Sequence, residues 1–178
     1  MPDAITATRP VLLRRIGAYL LDVAVLFVVL APLGYGVQVA LGIDAAAATA
    51  RSVYITLILN FSIPAWLYFA LSDRSSRGAT VGKRLLGLRT QAKAGRHLGF
   101  SRALGRTAIK MVPWEVTHAS AFLFVPALGE FAAGNMVGIG FAYVLSFVYL
   151  FVAWRTDGRQ SVHDLATKTH VVPADAVV

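Results

Sequence analysis

The sequence contains no cysteine, which excludes disulfides, thiolate chemistry and cysteine-ligated metal. Acids are scarce: nine Asp and Glu stand against seventeen Lys and Arg, a formal net charge of +8. The patterns on which a catalytic reading would rest are missing too. There is no hydrolase elbow, kinase set or paired-histidine zinc motif. Gly78-Ala79-Thr80-Val81-Gly82-Lys83-Arg84 approaches a phosphate loop. Its glycine spacing is one residue short, and Arg84 stands where a magnesium-holding Ser or Thr would be. Glu115 and His118 share a helix face but have no third ligand nearby, so they read as polar residues at interface depth. No enzyme, cofactor or metal is expected from these residues.

What the chain has in abundance is apolar length. It is 57% hydrophobic with a mean hydropathy of +0.64, where soluble domains lie nearer about 45–50%. Its cations fall in loops between apolar runs, the distribution of the positive-inside rule. That pattern excludes a soluble nucleic-acid binder. The first residues lack the layout of a signal peptide, so the run after Arg15 reads as a retained helix.

These features predict an all-α, multi-pass transmembrane helical bundle. Residues 1–10 form a cytoplasmic tail, 11–172 the membrane domain, and 173–178 a short tail. Spans are expected at about 16–41, 52–71, 112–131 and 135–154. The third is the weakest, with Pro113, Glu115, His118, Pro126 and Glu130 inside it; Glu130 is expected at the outer surface. Between the second and third lies the basic segment 72–110. It holds ten of the seventeen Lys and Arg, and Asp73 is its only acid. Three cations precede span one (Arg9, Arg14, Arg15) and three follow span four (Arg155, Arg159, Lys168). Both termini and the basic segment therefore belong on the cytoplasmic side, which requires an even number of crossings after Lys110.

Within the basic segment, Thr80–Leu88 reads as a short amphipathic piece and Arg89–Gly99 as an extended or turn segment around Ala94-Gly95. Ser101 is expected to cap a helix running to Lys110. Arg102, Arg106 and Lys110 recur every four residues, a stripe expected to face anionic lipid headgroups from an interfacial helix. In span four Gly134, Gly138, Ala142 and Ser146 repeat every four residues. They form a packing seam that also offers an interface for a homo-oligomer.

The charged residues of most interest lie at the cytoplasmic ends of these spans. Asp22 sits about 10 Å along the helix from Arg15, at a depth where a carboxylate costs about 2.5–3.5 kcal/mol. Helical side chains lean toward the N-terminus, so Arg15 points away from Asp22 and each needs another partner. Asp164 suits Arg15, and a basic residue of 82–89, such as Lys83 or Arg84, suits Asp22. Asp164 also fits a capping box with Ser161, with His163 beside it. Asn60 and Ser62 either bond across helices or patch the backbone around Pro64.

Four stretches in this order resemble the RDD family of bacterial membrane proteins. They are Arg15-x6-Asp22, Thr80-Val81-Gly82-Lys83-Arg84-Leu85-Leu86-Gly87-Leu88-Arg89, Ser101-Arg102-Ala103-Leu104 and Arg159-Gln160-x2-His163-Asp164. The resemblance covers roughly residues 11–172 and implies that Arg15, Asp22 and Asp164 are the arginine and two aspartates of the family's name. Lys168-Thr169 departs from the Gly-Thr usual there. The resemblance implies a bacterial plasma-membrane location and a suspected role in transport of a small ligand or in cation–proton exchange. Two hypotheses follow. In one, Asp22 binds a proton or small cation, Arg15 and Asp164 form a gate, and Asn60 lines the path, in a homo-oligomer. In the other, the three charges are a structural clamp in a non-transporting scaffold or accessory subunit.

Overall fold

The structure is a computed structural model that describes residues 9–92, 95–123 and 132–175. Most of the two terminal tails, Ala94 of the expected turn, and Pro126 and Glu130 of the expected third span lie outside the described residues.

Helix α1 runs from Arg9 to Ala40 and passes through Pro32 without a break. No charged residue interrupts it after Asp22. It buries Val11, Ala18, Asp22 and Leu26. Their spacing of seven, four and four places them on one helical face. Its other faces expose Leu20, Phe27, Val28 and Leu33, the surface a helix presents to lipid.

Thr49 caps α2 (Ala50–Leu57), accepting from the Ser52 N–H at 3.1 Å. The helix widens into a π-turn over Ile58–Ser62 and continues as α3 (Ile63–Arg74). The wide turn ends just before Pro64, whose missing N–H leaves the Asn60 carbonyl without its usual donor. Asn60 packs there against α1: a Cβ placed on Gly34 would meet the Asn60 Cβ at 3.3 Å. Ser62 donates to Glu115 at 3.1 Å, so this pair of polar residues serves both the bend and a cross-helix contact.

The expected interfacial helix and the described part of the third span are one element, α5, from Phe100 to Leu123. It starts one residue before Ser101, which is therefore not its cap. Pro113 is accommodated in mid-helix because the carbonyl it frees, Ile109 O, accepts the Tyr149 hydroxyl at 2.7 Å. Tyr149 belongs to α6 (Ala133–Arg155), which returns antiparallel along α5. Part of its small-residue seam is used within the chain. Asn135 donates to the Ser120 carbonyl, and a Cβ on Gly138 would run into the Ser120 hydroxyl. Gly134, at the start of the seam, has open space around it. Among the described residues three helical stretches are long and apolar enough to cross a membrane: Val11–Ala40, Ala50–Arg74 and Ala133–Arg155.

The remaining elements gather at one end of this bundle. They are α4 (Val81–Leu85), β1 (Leu88–Ala92), α7 (Val162–Thr167) and β2 (Thr169–Pro173). The strands pair antiparallel, Leu88 opposite Pro173 and Ala92 opposite Thr169. This two-stranded sheet corrects the all-α expectation. Leu88, Thr90, Thr169 and Val171 point inward, the period of two expected of a half-buried sheet. It joins the basic segment to the C-terminal tail, so both lie at the end of the bundle where α1 begins.

Candidate functional site: a buried charge chain beside a cavity

Asp22 is met by neutral donors. Tyr68 Oη and Thr80 Oγ1 each donate to it at 2.6 Å, and the Gly82 N–H donates at 2.8 Å. The expected basic partner from 82–89 is absent from this set. A short loop and the start of α4 can bring hydroxyl and amide donors against a helix more closely than they can bring a long ammonium chain. Gly82 makes the approach possible: any Cβ there would run into the Ala18 carbonyl. The stretch that approaches a phosphate loop thus cradles a carboxylate of its own chain. The far end of α4 is held as well, because Arg14 donates to the Leu86 and Gly87 carbonyls at 2.7 and 2.8 Å. The Leu86 carbonyl is one that the helix end leaves unpaired, and the Gly87 carbonyl also accepts the Ala174 N–H at 2.8 Å.

Arg15 pairs with Asp164, as its direction implied, and donates to the Gly158 carbonyl at 3.2 Å. Asp164 also accepts the Ser161 N–H at 2.9 Å, so the capping and ion-pair readings hold together. The chain of charge continues inward. Arg106 reaches Asp164 at 2.7 Å with one nitrogen and pairs with Asp73 through another. Lys83 meets Asp73 at 2.6 Å and Thr90 at 2.7 Å. The result is an alternating series, Arg15–Asp164–Arg106–Asp73–Lys83, drawn from α1, α7, α5, α3 and α4. Both aspartates have no exposed side-chain surface. The series buries one net positive charge, counting three cations and two acids.

Two of its five members were not among the sequence-derived site residues. Arg106 was expected to face lipid headgroups, yet it is 1% exposed. Arg106 faces inward because two buried carboxylates hold it there, whereas Arg102, one turn earlier in the same stripe, is exposed. Asp73 carried a legible signal, since it is the lone acid among ten cations. Arg84 is exposed and donates to the Ala79 carbonyl at 3.0 Å. Glu115 accepts from Ser62 and from Trp66 Nε1 at 3.0 Å. No group of three metal-ligating side chains occurs among the described residues.

Electrostatics at Asp164 run against burial. Burial alone would raise its pKa, but Arg106 and Arg15, with the Ser161 N–H, outweigh it and hold the carboxyl well below its ordinary value. Burial pushes His163 well below the usual histidine range; Asp164 opposes this, while Arg106, Arg15 and Lys110 add to it. His163 is therefore neutral. Its Nε2 faces an Arg15 nitrogen at 2.9 Å, so Nε2 accepts and the proton sits on Nδ1. Burial also lowers Lys83, with Asp73 opposing.

A cavity of about 380 Å³ lies against this series, between α1 on one side and α5 and α6 on the other. Arg15, Lys83 and Arg106 form its charged end beside the neutral His163, and Ser146 and Thr117 lie farther along it. Asp22 borders it, but Asn60 and Arg84 do not. Asn60 packs against Gly34 in the second half of α1, outside this space.

The RDD family model matches residues 9–168 of the chain. Nothing matches among curated proteins or among solved structures.

Proposed function

Because the chain belongs to the RDD family, whose members are generally membrane proteins, we propose that it binds a small ligand in the cavity at its charged end, as one step of transport. The protein is a small multi-pass membrane protein of the bacterial plasma membrane, with four crossings and both termini in the cytoplasm. Three basic clusters, before α1, in 72–110 and after α6, gather at one end of the bundle, which supports that orientation. The fourth crossing is supplied by α5, whose partner α6 runs back to the same end.

The observation that carries this reading is the cavity. About 380 Å³ falls in the range of sites that take small molecules, and such sites form between helices of bundles. Cation–proton exchange at Asp22 is less well supported. Its two oxygens already accept three hydrogen bonds, from Tyr68, Thr80 and Gly82. The Arg15, Asp22 and Asp164 set acts as a structural clamp that shapes the cavity. The scaffold reading shares this clamp and differs in giving the cavity no occupant.

The lack of native cysteine makes a direct test possible. Ser146→Cys should react with a charged, membrane-impermeant thiol reagent applied from the cytoplasmic side. Tyr143→Cys, on an exposed face of α6, should be shielded by lipid. An unreactive thiol in folded Ser146→Cys protein would mean that the cavity is closed to the cytoplasm and would contradict the ligand-binding reading.

A further inference from the structure

We infer that the cavity receives the phosphate headgroup of an anionic phospholipid, with Lys110 as its main charge contact; this deepens the ligand-binding reading above and rests on it. The sign of the charge around the cavity is the first argument. Arg15, Lys83, Arg106 and Lys110 all border it, whereas Asp73 and Asp164 do not. Those two acids are engaged behind the cations, and Asp22, the one acid on the wall, has its oxygens occupied. The surface offered to a ligand is therefore cationic.

Lys110 is the member with capacity to spare. Its ammonium lies 3.2 Å from the centroid of the Phe69 ring and 5.0 Å from that of Tyr19. Among the described residues it forms no hydrogen bond or ion pair. Ring faces attract a cation but leave its three N–H donors without directed acceptors. An incoming group rich in acceptor oxygens and negative charge supplies those acceptors.

Shape points to an amphiphile rather than a free anion. Along α5 the wall extends from Arg106 to Thr117, roughly 16 Å at the helical rise. The cations occupy only its first turn or so, and Pro113 and Trp114 follow. On the antiparallel α6, Leu150 and Ala153 lie at the level of the cations and Ser146 farther along. Few close backbone approaches link α1 and α6 in the described residues, and both expose large apolar side chains on their outer faces. A headgroup and the start of its chain fill the volume, and the remaining chain continues along those faces.

The test uses full-length protein carrying Ser146→Cys in vesicles of phosphatidylcholine, with or without phosphatidylglycerol. Phosphatidylglycerol should raise the unfolding temperature by several degrees and slow labelling of the introduced thiol several-fold. Lys110→Gln should lose both effects, while Arg102→Gln, at an exposed position, should keep them. Equal effects with and without Lys110, or no effect of phosphatidylglycerol on the Ser146→Cys parent, would overturn the inference. So would inorganic phosphate reproducing both effects in phosphatidylcholine alone, since the ligand would then be a soluble anion. Labelling of the same thiol in pure phosphatidylcholine reads the cavity itself, so a failed headgroup assignment is separable from a failed ligand-binding reading. The vesicle comparison on the parent protein stands even if Lys110→Gln does not fold.

Discussion

At the scale of single residues, the chain uses charge where a soluble protein would use apolar packing. Breaking a buried pair by removing one partner costs about 3–5 kcal/mol, because it leaves an uncompensated charge. Arg106 is the extreme case, fully inside and shared between two acids. His163 provides a pH-dependent counterpart. Its pKa is lowered by folding, so the unfolded chain takes up a proton near pH 6.5 while the folded one stays neutral. Stability from this residue is full above that pH and falls below it, by at most about 1.4 kcal/mol per pH unit. His163→Gln should flatten the dependence of unfolding temperature on pH just below 6.5; an unchanged slope would show that the ring is not held neutral. Another residue reports on backbone alone. Lys168 adopts φ 55°, the left-handed region that costs a non-glycine residue about 1–2 kcal/mol. A glycine at this position would avoid that cost.

At the scale of elements, α4 decides how the cytoplasmic end is attached. It is only five residues long, too short to be stable alone. Asp22 holds its N-terminal end and Arg14 its C-terminal end, both from α1. Gly82→Ala should therefore push α4 off α1, opening segment 75–92 to protease while the long helices keep their circular dichroism. Unaltered protease resistance would mean that α4 docks by some other contact. The sequence pattern made much of this legible. The first helix as a post, Arg15 with Asp164, and the short amphipathic piece near 80–88 were all readable from spacing and side-chain direction. The merging of the interfacial helix into α5 was not. Its signal was a stripe of cations every four residues, and such a stripe faces lipid headgroups or buried acids with equal periodicity. Only the tertiary position of Asp73 and Asp164 decides between them. The strand pair was also hidden, because each strand is five residues long and its partner lies some eighty residues away.

At the scale of the whole molecule, the charge series joins five elements from all parts of the chain. Helices α1, α3 and α5, with the docked α4 and α7, meet in one alternating line of side chains. In membrane bundles the attraction between apolar faces is weak as a specifying force, since lipid is equally apolar. A buried ionic line specifies the arrangement of helix ends in a way that Leu and Val cannot. It also explains why the cavity beside it is cationic, since the line contains one more cation than acid. The central claim is that this line acts as a unit, and a double-mutant cycle between Arg106→Gln and Asp73→Asn, read by unfolding in detergent, tests it most directly. Each single change should cost about 3–5 kcal/mol, and the double change should cost less than their sum by about 0.5–3 kcal/mol. Costs that simply add, or single losses within about 0.5 kcal/mol as at a surface site, would contradict the account.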